Sequence, residues 1–518
     1  MAMVPLLKRA AGYPGLVAFL AGALAVLAFA PFSLSFMAII SLTLLFWLWR
    51  DVSPREAFRL GWLFGLGLMG LGVSWLHVSI DQFGNVGLLL ALLITLLFVC
   101  VLALFYGLAG WLCAKYGGNR EGLRLLLCYP ALWVLLEWVR GWFLTGFPWL
   151  AIGYSQLETP LQGYAPLLGV YGVSWSLALS AGLLGLWFAN QLSQSTSRPA
   201  GASQFAARGY ALPVLGLVVI WVGGSILSTK QWTTEAGAPL QVSLVQGNIA
   251  QEKKWLPEQF APTLELYTEL SRAHMNSDLI IWPETAVPAF YHQVDKGLLT
   301  PLSKEAKALG VDLLLGIAVR HDDGRYFNAM VSLGANRDAY YKRHLVPFGE
   351  FLPLKWLLNP LIDFLRIPMS DFSAGEQGHT RLQLAGYPVG ISICYEDAFG
   401  EEVIQSLPEA AFLVNASNDA WFGDSLAPHQ HLEIARMRAL ESGRYLLRAT
   451  NTGVSAVIGP DGGVEGLSPA FEQDVLTREI VPMQGMTPYA RFGNWGICAI
   501  LVFLLGVGAL FGCHRKDA

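Results

Sequence analysis

One cysteine of this chain stands apart from the others. Five of the 6 cysteines fall within or at the ends of long apolar runs: Cys100, Cys113, Cys128, Cys498 and Cys513. Cys394 lies in the only large polar region, at the end of the apolar run Val389–Cys394 and just before Glu396 and Asp397. This pattern predicts a buried strand that delivers a thiol to a loop beside two carboxylates. A free cysteine is most often a small core residue, so a nucleophile needs partners elsewhere in the chain.

Two other polar residues have the chemistry that a thiol nucleophile requires. Glu284 follows the apolar run 280–283 and is a candidate general base, and Lys342 leads into an apolar turn that ends at Glu350. A thiol has a pKa near 8.5, so full ionisation at pH 7 costs about 2 kcal/mol, which a nearby ammonium or proton-accepting carboxylate can supply. The same lysine, with the backbone N–H that follows the nucleophile, could hold an acyl oxyanion; one such donor contributes about 3 to 4 kcal/mol.

The composition indicates a membrane protein. The chain has 518 residues, of which 54% are hydrophobic and only 14% are charged. Its net charge of −4 gives no indication of a nucleic-acid partner, and the sequence has no basic patch with interleaved aromatics. It has no Cys/His cluster with metal-ligand spacing either, so we expect neither a metal nor an organic cofactor.

Eight apolar runs are long enough to cross a bilayer, judged against about 20 residues per crossing. They are Gly15–Ala30, Leu34–Trp49, Ala57–Ile80, Val86–Ala114, Leu123–Leu144, Leu161–Ala189, Leu212–Leu227 and Trp495–Phe511. The first run also has features of a cleaved secretory signal, but Pro31 and the second run directly after it favour a helical hairpin. The sequence therefore predicts a membrane domain at 1–229, a polar domain at 230–491, and a last span with its tail at 492–518.

The basic residues predict the orientation of these spans. Alternate loops contain Lys8, Arg9, Arg50, Arg55, Arg59, Lys115, Arg120, Arg124, Arg198, Arg208, Arg515 and Lys516. The intervening loops, around Phe32, 81–85 and 145–160, contain no lysine or arginine. By the positive-inside rule both termini are cytoplasmic, and the domain at 230–491 lies on the outer side, which in a bacterium is the periplasm.

Short apolar strands alternate with amphipathic helices between 230 and 491, which predicts an α/β or α+β sandwich. The predicted strands are Leu240–Gln246, Asp278–Trp282, Asp312–Val319, Ala329–Leu333, Val389–Cys394, Ala411–Asn415, Leu446–Asn451 and Val454–Ile458, and the predicted helices are Pro257–Met275, Pro301–Leu309 and Pro428–Ser442. The segment Phe351–Met369 is apolar and broken by prolines, and it is predicted to lie on the membrane or over the site; an internal core helix is the alternative.

Two charged residues fall inside the fifth apolar run. Glu137 and Arg140 are three positions apart and so share a helix face, and charges at this depth are costly unless they pair or face a polar cavity. A structural ion pair and a role in admitting the substrate are equally compatible with this pattern.

The order of the motifs indicates a family. The sequences Trp282-Pro283-Glu284, Tyr341–Glu350 and Cys394-Tyr395-Glu396 resemble the triad motifs of the nitrilase, or carbon-nitrogen hydrolase, superfamily. With seven predicted spans before them and one after, the whole chain resembles the bacterial apolipoprotein N-acyltransferases. Further similarity lies at Gln246–Ile249 with Trp255, Ser417–Asp424, His429–Arg444 and Asn451–Gly453.

The resemblance implies an α-β-β-α sandwich inserted between spans seven and eight of a polytopic helical membrane domain. It also implies roles for individual residues: Cys394 as nucleophile, Glu284 as general base and Lys342 as the cation that orients and holds the oxyanion. Supporting roles are implied for Glu350 and Glu396 as carboxylates and for Tyr395 and Trp255 as pocket residues. His429 and His431 are expected in core or capping positions.

The reaction implied is a two-step acyl transfer at the bacterial inner membrane. An acyl chain moves from a phospholipid, typically phosphatidylethanolamine, to Cys394 as a thioester, and then to the α-amino group of the N-terminal diacylglyceryl-cysteine of a lipoprotein. A membrane-anchored amidase or nitrilase-type hydrolase, with water as acceptor, is the first alternative. The second is a transporter or lipid-binding protein with a degenerate sandwich, which would not need the intact triad.

Overall fold

The computed structural model describes residues 12–84, 86–196, 203–352 and 371–513. Within these residues the chain divides into two compact units. The helical unit comprises the described parts of Met1–His77, Leu89–Lys230 and Asn494–Ala518, and the sandwich unit those of Val78–Leu88 and Gln231–Gly493.

The helices of eight or more residues in the described chain, together with one of seven, are numbered here in chain order. They are α1 Pro14–Ala25, α2 Phe36–Leu48, α3 Pro54–Gly72, α4 Leu76–Gln82, α5 Leu88–Tyr116, α6 Tyr129–Arg140, α7 Ala165–Thr196, α8 Ser203–Ser228, α9 Pro257–Arg272, α10 Thr300–Leu309, α11 Ala427–Ser442 and α12 Trp495–Cys513. Shorter helices lie at Glu121–Leu123, Tyr291–Val294, Gly400–Val403 and Pro488–Phe492.

Each apolar run of the sequence coincides with a helix. Four helical stretches in the described residues are long and apolar enough to cross a membrane: Leu88–Tyr116, Glu121–Arg140, Pro160–Gln191 and Ala211–Ser228. Helices α3 and α4 supply a fifth crossing if they form one span, bent by 56°. Pro14–Ala28, Phe36–Leu48 and Trp495–Phe511 are apolar but shorter, so eight crossings remain a prediction.

Small residues let α1 and α3 approach each other closely. A Cβ atom added at Gly22 would lie 2.0 Å from the carbonyl oxygen of Phe64, and one added at Gly67 would lie 2.1 Å from that of Phe19. Close backbone approach at glycine is the usual way in which membrane helices gain packing contacts.

Glu137 and Arg140, both at least 98% buried, hydrogen-bond to the chain that follows α6. Glu137 Oε1 accepts from Trp133 Nε1 at 3.0 Å and from the backbone N–H of Ile152 at 2.9 Å. Arg140 Nη1 donates to the carbonyl oxygens of Phe147 and Trp149, at 2.7 and 2.6 Å. These contacts fasten the backbone of 147–152 to α6, which favours the structural interpretation of the two charges.

The sandwich unit contains fifteen strands among the described residues. They are β1 Thr233–Glu235, β2 Leu240–Gln246, β3 Leu279–Ile281, β4 Val287–Phe290, β5 Asp312–Arg320, β6 Tyr326–Leu333, β7 Ala339–Tyr341, β8 Arg381–Leu384, β9 Tyr387–Ile393, β10 Phe412–Ser417, β11 Leu446–Thr450, β12 Ala456–Ile458, β13 Val464–Leu467, β14 Asp474–Ile480 and β15 Met483–Gly485. One large sheet has the order β14-β2-β3-β5-β6-β7, with β4 on β5, and the other has the order β13-β12-β11-β10-β9-β8. Strands β1 and β15 form a separate two-stranded sheet. Strands β2, β3 and β5 are parallel, as are β9, β10 and β11.

The two sheets pack face to face between helices. The core between them combines Leu244, Ile281 and Leu314 of the first sheet with Ile393 and Val414 of the second. The outer face of the first sheet packs against α9 and α10, and that of the second against α11. Because both faces of the central strands are covered, strands such as β3 and β5 are nearly continuous apolar runs instead of alternating ones. The layers are α-β-β-α, as predicted.

A short segment that includes most of α4 belongs to the sandwich unit. Val78–Leu88 clusters with Gln231–Gly493, and the ring of Phe83 lies edge-on to that of Trp421, with centroids 4.7 Å apart. The predicted arm Phe351–Met369 lies outside the described residues except for Phe351 and Leu352, and the basic residues near both termini lie outside them as well.

Candidate active site

Cys394 lies at the carboxyl end of a central parallel strand, on a sharp turn. Strand β9 ends at Ile393, and Cys394 begins a 3₁₀ turn, Cys394–Ala398, with a positive φ of 51°. A left-handed conformation at a residue other than glycine costs about 1–3 kcal/mol and persists only where the surroundings hold it. Here Asn415 Nδ2 donates to the Cys394 carbonyl oxygen at 3.1 Å, and the Ile393 N–H donates to Glu396 Oε2 at 2.7 Å.

The structure brings Glu284 and Lys342 to Cys394 from the opposite sheet. Glu284 follows β3 and Lys342 follows β7, and Lys342 Nζ lies 3.4 Å from Glu284 Oε1. Both side chains are more than 90% buried. Burial raises the pKa of the Cys394 thiol, Glu284 raises it further, and Lys342 opposes both effects. Burial therefore disfavours a free thiolate, which favours a mechanism in which the thiol proton passes to a neighbouring group.

Glu350 completes the surroundings of the lysine. Its Oε1 accepts a hydrogen bond from Lys342 Nζ at 2.9 Å, and its Oε2 accepts from the backbone N–H of Val346 at 2.8 Å. Burial would lower the pKa of Lys342, but Glu350 and then Glu284 outweigh it and raise the pKa above its usual value. Lys342 is therefore held as a cation by its two carboxylate neighbours.

Glu396 joins two segments of the site, whereas Glu350 contacts the lysine directly. Its carboxylate is 1% exposed, and Oε1 accepts from the backbone N–H groups of Arg343 and His344 at 2.6 and 3.0 Å. Its Oε2 accepts from the hydroxyl of Tyr340 at 2.8 Å, in addition to the N–H of Ile393. Glu396 thus ties the chain that carries Lys342 to the turn that carries Cys394.

The two predicted pocket residues lie in different environments. Tyr395 is half-buried, and its ring packs against those of Phe399 and His344, at centroid distances of 5.0 and 5.9 Å. Trp255 is 56% exposed, in the loop that follows β2. Their role in shaping a pocket remains a prediction.

Asn328 is a site residue that the sequence reasoning missed. Its Nδ2 donates to Glu284 Oε1 at 2.7 Å and lies 3.1 Å from Glu350 Oε1, so one amide bridges the two carboxylates. Both hydrogen bonds that the structure shows at the Glu284 carboxylate go to Oε1. The available signal was a single asparagine inside the otherwise apolar run Tyr326–Leu333, where a buried amide needs partners.

A buried network of charges lies behind the cysteine turn. Arg448 Nη1 donates to Asn415 Oδ1 at 2.7 Å, and Asn415 in turn holds the Cys394 carbonyl. Arg448 Nη2 also lies 2.8 Å from Asp419 Oδ2. His431 occupies the core position expected for it, and the structure adds its partners: Nε2 lies 2.9 Å from Asp397 Oδ1 and Nδ1 lies 3.0 Å from Asp419 Oδ1.

The arrangement suits acyl transfer through a thiol. A buried carboxylate can accept the thiol proton, and the adjacent ammonium can stabilise negative charge on a reacting oxygen. Among the residues that the structure describes, no group of three or more His, Cys, Asp or Glu side chains is placed to hold a metal ion.

Comparison with known proteins identifies both parts of the chain. Residues 21–183 match the family model for the apolipoprotein N-acyltransferase N-terminal domain, and residues 241–489 match the model for carbon-nitrogen hydrolases. A carbon-nitrogen hydrolase from Helicobacter pylori aligns structurally with 54% of this chain and 96% of its own, at 14% identity and a TM-score of 0.36.

Two curated relatives match over nearly the full length. An apolipoprotein N-acyltransferase from Methylococcus capsulatus is 49% identical over 97% of both chains. One from Nitrosomonas europaea is 44% identical over 98% of this chain and 99% of its own. These full-length matches do not favour the hydrolase alternative. They show that the chain belongs to the apolipoprotein N-acyltransferase family, as the sequence motifs predict.

Proposed function

We propose that the protein transfers an acyl chain from a membrane phospholipid to the N-terminal amine of a lipoprotein, through a thioester on Cys394. The observation that carries the proposal is the convergence of Cys394, Glu284 and Lys342, in a chain whose full-length relatives are acyltransferases. In this proposal residues 1–229 and 492–518 form a membrane domain of eight spans, and residues 230–491 form the catalytic domain on the periplasmic side of the inner membrane.

In the first step the thiol becomes an acyl carrier. Glu284 accepts the thiol proton, and the sulfur attacks the carbonyl carbon of a phospholipid ester to form a C–S bond. Negative charge moves to the carbonyl oxygen, where Lys342 and the backbone N–H of Tyr395 stabilise it. The intermediate collapses by breaking the C–O ester bond, and the departing alkoxide takes the proton from Glu284. The products are a lysophospholipid and the Cys394 thioester.

In the second step the acceptor is an amine. The α-amino group of a diacylglyceryl-cysteine, which has a pKa near 7.7–8.0 when unperturbed, is partly neutral at pH 7 and attacks the thioester carbonyl. Glu284 takes a proton from the nitrogen while the C–S bond breaks, and the thiolate recovers a proton from Glu284. Phosphatidylethanolamine is the proposed donor, and an N-terminal S-diacylglyceryl-cysteine is the proposed acceptor.

Charge in the site supports this scheme. Lys342 is held between two carboxylates, at 2.9 and 3.4 Å, so it cannot itself act as the proton acceptor at neutral pH. Proton transfer from Cys394 to Glu284 relocates one negative charge and creates no new one. A buried site tolerates such an exchange better than it tolerates net ionisation.

The test is to trap the acyl-enzyme. Full-length protein in detergent is incubated with phosphatidylethanolamine of one chain composition, without acceptor, and analysed by intact mass. We expect one acyl adduct that hydroxylamine removes, that is absent in Cys394→Ser and that persists in Cys100→Ser, whose cysteine is also only partly buried. Addition of a diacylglyceryl-cysteine peptide with a free amine should discharge the adduct, and the N-acetylated peptide should not.

Three results would contradict the proposal. No adduct with a folded protein would exclude a stable thioester, and an adduct on another residue would exclude Cys394 as the carrier. Rapid discharge without any amine would indicate water as the acceptor and would restore the hydrolase alternative.

A further inference from the structure

A second buried ammonium lies at the general base and has no part in the scheme above. Lys254 is 2% exposed, whereas its neighbour Lys253 is exposed. Lys254 Nζ donates to the backbone carbonyl oxygen of Glu284 at 3.3 Å and to Thr285 Oγ1 at 3.0 Å. Burying an ammonium costs several kcal/mol unless charge and hydrogen bonds compensate for it. Both hydrogen bonds go to the turn that carries Glu284.

The turn at Glu284 needs to be held in place. Thr285 has a positive φ of 46°, which is strained for a β-branched side chain. On the side of β5 the turn lies against Gly316, where an added Cβ would lie 2.3 Å from the Pro283 carbonyl oxygen and 2.8 Å from Glu284 Cα. Lys254 holds the same turn through the Glu284 carbonyl and the Thr285 side chain. Loss of this contact would release a strained peptide directly at the proposed base.

Lys254 also changes the charge balance of the site. The charged and titratable groups that face Glu284 are Lys254, Lys342, Glu350 and Cys394. With a neutral thiol, two carboxylates face the single ammonium of Lys342, and Lys254 brings the total to zero. Burial lowers the pKa of Lys254 to about 8, against the opposing effect of Glu284, so the side chain is mostly protonated at pH 7.

We propose that Lys254 is a positioning residue for the general base. It fixes the Glu284–Thr285 turn by two hydrogen bonds and supplies the second positive charge that balances the two carboxylates. This inference rests on the proposed role of Glu284. It predicts that loss of the charge moves the acid limb of the acylation rate to higher pH, because a positive charge beside the two carboxylates has been removed.

The test measures single-turnover acylation of Cys394 by phosphatidylethanolamine, by intact mass, from pH 5.5 to 9. In Lys254→Met we expect at least a tenfold lower rate at pH 7 and an acid limb displaced upward by about one pH unit. Lys254→Arg keeps the charge and Thr285→Val removes only one acceptor, so both should be slower with the limb unmoved. Lys253→Met is the matched control and should behave as the wild type.

The pH profiles of the variants distinguish the proposed role of Lys254 from a purely structural one. If Lys254→Met is slower at every pH by the same factor, or matches Lys253→Met, the charge-balancing role is wrong. If Lys254→Met does not fold, an acid limb displaced in Lys254→Arg or in Thr285→Val overturns the inference, and an unmoved limb with a lower rate supports it. Absence of an adduct in the wild type would instead overturn the proposed function.

Discussion

Replacement of His431 by glutamine should remove a specific pH dependence of stability. His431 is 2% exposed and lies between Asp397 and Asp419, at 2.9 and 3.0 Å. Burial and the nearby Arg448 both lower the pKa of His431, but the two carboxylates outweigh them and raise it to about 9. Glutamine can keep one hydrogen bond at this position, but it cannot carry the charge.

The magnitude follows from the displacement of the pKa. An unfolded histidine has a pKa near 6.5, so the folded state binds the proton more tightly by about 2.5 units, or about 3 kcal/mol at 1.36 kcal/mol per unit. Because the folded pKa is the higher one, this stabilisation is fully present below about pH 6.5 and is lost as the pH rises through about 9. About 3 kcal/mol corresponds to roughly 6–12 °C in the unfolding temperature of a domain of this size.

The assay is thermal unfolding of the full-length protein in detergent, at one scan rate, followed by tryptophan fluorescence at pH 6 to 10. The wild type should lose thermal stability across this range, whereas His431→Gln should start lower and lose much less, so that the two curves converge near pH 10. His429→Gln, two residues earlier on the same helix and only half-buried, should follow the wild type. Parallel curves for His431→Gln and the wild type would refute the reasoning, because other groups that titrate in this range are common to both proteins.

Three further substitutions, one of them with a comparison variant, test the site. Asn328→Leu removes the donor shared by both carboxylates and should slow acylation of Cys394 about 10-fold or more, because Glu284 loses a group that orients it. An unchanged single-turnover rate would contradict this. Gly316→Ala places a Cβ against the turn that carries Glu284 and should destabilise the protein by about 1–3 kcal/mol, seen as a lower unfolding temperature. It should also slow acylation of Cys394. Glu396→Gln replaces an acceptor of four hydrogen bonds and should destabilise the sandwich. Its loss of unfolding free energy should exceed that of Tyr340→Phe, which removes one donor worth about 0.5–1.5 kcal/mol. Equal losses of unfolding free energy in the two variants would contradict the role of Glu396 in joining the two chain segments.

The central part of the fold could be predicted from the sequence because its strands are buried on both faces. Runs such as Asp312–Val319 are apolar enough to identify directly, and the predicted and observed bounds agree within a few residues. The edge strands β8, β13 and β14 are not predicted from the sequence, since they carry exposed polar residues such as Gln383, Glu465 and Glu479. Their pairing depends on a neighbouring strand that local sequence does not specify.

Some residues of the site could likewise be predicted from the local sequence, and others only from the folded structure. Cys394 and Glu284 each follow an apolar run, so their positions at strand ends could be anticipated, whereas the strand before Lys342 has only three residues and is not identified from the sequence. Lys254 follows Glu252 and Lys253 and is indistinguishable by pattern from an exposed lysine, and Asn328 is one amide in an apolar strand. Only the folded arrangement shows that both residues contact Glu284.

The membership of Val78–Leu88 in the sandwich unit matters for anyone who wishes to express that unit as a soluble fragment. The backbone passes between the units at four junctions, 77/78, 88/89, 230/231 and 493/494, so cutting the gene at the last two sites discards a piece of the fold. A fragment limited to 231–493 would lack Phe83 and so expose the indole of Trp421 that its ring covers. Such an exposed aromatic surface favours aggregation. A fragment that also includes the eleven missing residues, joined through a short glycine linker, should aggregate less than the truncated one and so suit inhibitor screening better.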